Sequence, residues 1–71
     1  EPYLLYGIAC LYSLIEKPEE AVYYLTKSVE AGFAHRQYLE KDSDFDLIRD
    51  HSSYQALIKN LKAREKGSGS V

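Results

Sequence analysis

Seventy-one residues leave room for one small domain with a modest core, which argues against a multidomain chain and lets neighbouring segments contribute to stability. Hydrophobic residues at 45% and charged residues at 28% argue against disorder along the whole length, and a formal net charge of -2 argues against a general attraction for nucleic acid. The lone cysteine, Cys10, excludes an internal disulfide and a Cys-rich zinc motif, and it fits a reducing compartment.

No apolar run approaches the roughly 20 residues that cross a bilayer, and residues 1–16 lack the basic start and small-residue cleavage site of a signal peptide. These features point to a soluble, cytoplasmic chain without a membrane partner. Glu1 in place of Met and the ending Gly67-Ser68-Gly69-Ser70-Val71 are read as an excerpt from something longer, with 66–71 a flexible linker or tail.

From Pro2 to Glu16, Leu5, Ile8, Ala9, Tyr12 and Ile15 recur at spacings of three and four, which predicts a first helix with that face buried. Leu4, Leu11 and Leu14 widen its apolar surface until one partner helix cannot cover it. Lys17-Pro18 stops this helix and starts the next, since Pro disfavours helix in the residue before it and suits a first turn. Glu19 and Glu20 then lie where the helix dipole favours acidic groups. The second helix carries Ala21, Tyr24, Leu25, Ser28 and Val29 on one face, and Gly32 ends it in the left-handed conformation common at helix C-termini. So short a link makes the two helices an antiparallel hairpin.

Leu5, Ile8-Ala9, Tyr12, Ala21 and Leu25 match the spacing W-x2-L-G-x2-Y…A-x3-F, and the hairpin resembles a tetratricopeptide (TPR) repeat. Leu5 replaces the family's aromatic, Ala9 its Gly and Leu25 its Phe, while Phe33 stands where the family usually has Pro. In that family the small residues at the positions of Ala9 and Ala21 let the paired helices approach closely. The segment from Glu30 through Asp46-Leu47-Ile48-Arg49-Asp50 to Tyr54-Gln55-Ala56-Leu57 looks like the variant that closes some of these arrays.

After Gly32 the periodicity loosens. Residues 34–41 predict a short helix with Tyr38 inward, and Asp42-Ser43-Asp44 offers caps for a further turn carrying Phe45 and Ile48. Ser52-Ser53-Tyr54-Gln55 reads as a capping box opening a last helix to about Arg64, with a stripe of Tyr54, Leu57, Ile58 and Leu61. Basic Lys59, Lys62, Arg64 and Lys66 are interrupted by Glu65 and read as a solvated helix end. The expected architecture is all-α: a TPR-like hairpin over 2–33, a degenerate capping repeat over 34–65, and together a fragment of an α-solenoid. A capping unit terminates an array that would otherwise expose an apolar face.

Asp42-Ser43-Asp44-Phe45-Asp46 begins like an EF-hand loop, but Leu47 stands where the turn needs Gly and Ser53 where calcium needs Glu, so caps and solvated charge explain it better. An Asp42 or Asp46 pair with Arg49 is read as a surface pair of about 0 to 1 kcal/mol. Cys10 with His35 or His51 would make a small enzyme only if contact and an orienting group brought them together, and the spacing provides neither. No residue set proposes a reaction or a cofactor.

Among seven tyrosines, Tyr12, Tyr24, Tyr38 and Tyr54 fall at expected core positions. Tyr3, Tyr6, Cys10 and Ser13 form a second stripe on the first helix, and the resemblance implies that this stripe lines a concave groove. With Leu14 they are the candidate partner-binding residues; tyrosine suits recognition, and packing on a preceding repeat is the competing reading for Tyr3 and Tyr6. Some family members grip C-terminal carboxylates with cations and amides there. This surface has none, so a more apolar or internal peptide suits it better. The expected role is a non-catalytic protein-interaction module; the alternative is self-association through Tyr6, Leu11 and Leu14.

Overall fold

The computed structural model describes residues 2–32 and 35–69, with side chains for all of these but residues 2 and 66–69. Helix α1 (Pro2–Leu14), α2 (Pro18–Glu30), α3 (Arg36–Lys41), a 3-10 helix (Ser43–Ile48) and α4 (Ser52–Gly69) follow in order, and no strand occurs among the described residues. The fold is all-α, as expected. Phe33, assigned to the family's Pro position, and Ala34, expected to open the third helix, lie outside the described residues.

The link between α1 and α2 is made by backbone geometry. Glu16 adopts a left-handed φ of 58°, its N–H donates to the Ser13 carbonyl at 2.9 Å, and the Lys17 N–H reaches back to Tyr12 at 2.8 Å. That pair of bonds satisfies the last carbonyls of α1 and reverses the chain within three residues. Pro18 then opens α2, which ends at Gly32 with φ of 85° and its N–H on the Val29 carbonyl. Ala9 and Ala21 are fully buried in the hairpin. Alanine suffices at both tight positions.

On α2 the expected face is the observed one: Ala21, Leu25 and Ser28 are buried and Tyr24 and Val29 half-buried. On α1 the core face is rotated from the expected one. Tyr6, Ala9 and Ser13 are buried, Leu5, Ile8 and Tyr12 half-buried, and Ile15 is 61% exposed. The apolar periodicity of α1 therefore straddles the core edge, with Ala9 inside and Ile15 outside, and the chain's own core takes the narrower stripe of Tyr6, Ala9 and Ser13. The reason lies in what packs there: the 3-10 helix delivers backbone carbonyls and carboxylates along with Phe45, so α1 answers with hydroxyls.

In α3 the inward residue is Leu39, fully buried, rather than Tyr38, which is half exposed and stacks its ring on Tyr6 at 5.5 Å. Phe45 and Ile48 enter the core as expected, and Asp42 caps the 3-10 helix by accepting from the Asp44 N–H at 3.0 Å. The cap of α4 is one residue earlier than read: His51 Nδ1 accepts from the Ser53 N–H at 3.1 Å, while Ser52 is already helical. Imidazole reaches the second amide of the helix as a serine oxygen would. Tyr54, Leu57 and Leu61 are buried and Ile58 half-buried, so the expected stripe of α4 covers α2. The helix carries on past Arg64 to Gly69, into the segment expected to be a linker, because Ala63 through Lys66 are strong helix formers with no Pro to stop them.

Candidate functional site

Helix α1 presents two faces, and the candidate residues divide between them. Tyr6, Cys10 and Ser13 turn toward the chain's own 3-10 helix. The Tyr6 hydroxyl donates to the Asp42 carboxylate, the Ser13 hydroxyl donates to the Asp44 carbonyl at 2.6 Å, and the Phe45 ring meets Tyr6 edge-on at 5.6 Å. Ser13 is fully buried and Tyr6 8% exposed, so this stripe is filled from within and offers no open groove. Residues 42–45 sit where a bound peptide was expected. For Tyr6 and Ser13 the structure places intramolecular acceptors, more than thirty positions along the chain, where the sequence suggests an outside partner.

Cys10 is half-buried, and its sulfur lies within 4.8 Å of carboxylate oxygens of Asp42 and Asp44. Burial, a hydrogen bond to Asp44 and the charges of Asp42 and Asp44 push its thiol up to about 12. At neutral pH it is the protonated, weakly nucleophilic form. Tyr6 is likewise held in its neutral form, by burial first and then by Asp42. Asp42 already accepts from Tyr6 and from Asp44, so the trio reads as a hydrogen-bonded joint between α1 and the 3-10 helix. Sequence reasoning missed it, since nothing in local spacing joins Cys10 to Asp42.

Arg49 does more than form the surface pair expected of it. Its guanidinium donates to Asp46 through two nitrogens at 3.1 and 2.7 Å, to the Glu40 carbonyl at 3.0 Å, to the Asp42 carbonyl at 2.9 Å and to the Tyr54 hydroxyl at 3.1 Å. Tyr54 in turn donates to the Leu39 carbonyl at 3.2 Å. This arginine therefore closes the end of α3 and ties it to α4, which a surface ion pair does not do. Beside it a cleft of about 420 Å³ is bordered by Ile58, Lys59 and Lys62.

The other face of α1 is open among the described residues. Tyr3, Leu4, Leu11, Leu14 and Ile15 are exposed by half or more, and Tyr3, Leu4, Gly7, Ile8 and Leu11 line an apolar groove of about 760 Å³. From Pro2 to Ile15 there is no Asp, Glu, Lys, Arg or His. Monomeric surfaces seldom hold an apolar patch of this continuity, and loss of charge marks the core of protein interfaces. Of the five candidate residues, Tyr3 and Leu14 belong to this face. Leu4, Ile8, Leu11 and Ile15 join them; their apolar period was visible in the sequence but assigned in part to the core.

No family model, no curated protein and no solved structure matches the chain. No helix among the described residues is long and apolar enough to cross a membrane.

Proposed function

We propose that this chain is a non-catalytic protein-interaction module, the end unit of a TPR-like helical stack in a cytoplasmic protein. One side of the hairpin is closed by α4 lying on α2. The other side is the uncharged outer face of α1, and it takes a helical surface of a protein partner. The observation that carries this reading is the exposure of Leu4 at 63%, Leu11 at 65% and Ile15 at 61% along a helix without a single charged side chain. Each such side chain gains about 1.5 to 3 kcal/mol on full burial. Contact across that face would therefore stabilise an association that the isolated unit forgoes.

The resemblance in Leu5, Ile8-Ala9, Tyr12, Ala21 and Leu25 supports placement within a helical-repeat stack, and the polar outer side of α4 suits a terminal unit. A single cysteine, which leaves no internal disulfide, supports a reducing setting. A hydrophobic fluorescent dye tests the reading. Dilute chain binds the dye, Leu11→Glu removes most of that binding, and circular dichroism stays the same. Dye binding that survives Leu11→Glu would put the contact face elsewhere.

A further inference from the structure

Resting on the reading of α1 as a docking face, we propose that its occupant is a second copy of this chain, with the two α1 helices antiparallel across a two-fold axis. The aliphatic seam of α1 runs Leu4, Ile8, Leu11, Ile15, with spacings of four, three and four, Ile8 half-buried and the other three exposed. The hydrogen bond from the Ile15 N–H to the Leu11 carbonyl, 3.2 Å, keeps Ile15 in helical register beyond Leu14. This spacing reads the same from either end. Turned about an axis through its middle, Leu4 meets Ile15 of the second copy and Ile8 meets Leu11. A two-fold interface requires such self-complementarity, because one patch must serve as both surfaces. Spacings alternating between three and four also give the seam along which two helices interlock.

Gly7 lies beside Ile8, and a Cβ built there would meet nothing within 4 Å. The space it leaves on the seam admits the Leu11 side chain of the second copy. Charge points the same way. Helix α1 has no acidic side chain in its first turn to complement the positive end of its dipole. The antiparallel arrangement brings Glu16 of the second copy, which is exposed and follows the seam directly, alongside that turn. Between Pro2 and Ile15 neither copy carries a charge, so the seam itself holds no like-charge pair.

Sedimentation of the whole 71-residue chain across a concentration series tests this. The expected result is a monomer–dimer equilibrium whose dissociation constant rises at least about 30-fold in Leu11→Glu, with helicity unchanged. Leu4→Gln, at a second exposed position, weakens it in the same direction. In a Cys10→Ala background, oxidising a mixture of Leu4→Cys and Ile15→Cys chains gives mixed cross-linked dimers in excess of Leu4→Cys pairs. A monomer at every concentration that still binds dye in a Leu11-dependent way overturns the second copy and leaves the docking face intact, its occupant then being a helix of another segment or protein. A monomer without such dye binding overturns both. A dimer indifferent to Leu11→Glu overturns the pairing of copies through this seam, and overturns the docking face as well where dye binding also survives that change; a dominance of Leu4→Cys pairs overturns the antiparallel arrangement.

Discussion

At the scale of single residues, two backbone positions hold stability in reserve. Glu16 sits at a φ of 58°, where a Cβ is disfavoured and glycine is not, so Glu16→Gly stabilises the chain by about 1 kcal/mol in urea unfolding. Gly7 is the opposite case: a helix-interior glycine with open space around it, where Gly7→Ala adds about 0.5 to 1 kcal/mol to the stability of the monomer. Cys10 sets a pH signature. Its thiol keeps its proton in the folded chain up to about 12, against an ordinary 9.0. The folded state therefore binds more protons than the unfolded one across that window. Stability is complete below pH 9 and falls as pH climbs towards 12, and Tyr6 adds a further fall that begins above 10. Cys10→Ala removes the fall between pH 9 and 10 and makes the slope from 10 to 12 shallower, leaving there the part that belongs to Tyr6. Alkylation of Cys10 near neutral pH runs far slower than that of a free thiol, because burial and the carboxylates of Asp44 and Asp42 leave so little thiolate.

At the scale of elements, the joints matter more than the helices. The hairpin was legible in advance because Pro18, Gly32 and the spacing of Ala21, Leu25 and Ser28 are local signals. The stripe of α4 was legible for the same reason. What lay beyond local reading was the middle of the chain, where Arg49 holds carbonyls of Glu40 and Asp42 and the hydroxyl of Tyr54 at once. An arginine of that kind looks in sequence like one half of a surface pair. Arg49→Lys retains the charge but loses the planar fork, and it destabilises the chain by about 1 to 3 kcal/mol in denaturant unfolding, well above a surface pair. A change under 0.5 kcal/mol would return Arg49 to the surface-pair role.

At the scale of the molecule, periodicity identified which helix matters and misassigned its faces. Leu4, Leu11 and Leu14 already showed that α1 is too apolar for one partner helix. Local spacing points the stripe of Tyr6, Cys10 and Ser13 at an outside ligand, because its acceptors, Asp42 and Asp44, lie far along the chain. Once those residues are filled from within, the open surface of α1 is its aliphatic seam. Tyr3 and Tyr6 distinguish the two faces with the same side-chain chemistry, since one is 72% and the other 8% exposed. Hydroxyl-radical footprinting of dilute chain should modify Tyr3 and Leu11 rapidly and spare Tyr6. Raising the protein concentration should then protect Leu4 and Leu11. Modification of Tyr6 as fast as Tyr3, with no change at Leu11, would contradict it by placing the open groove on the other side of α1.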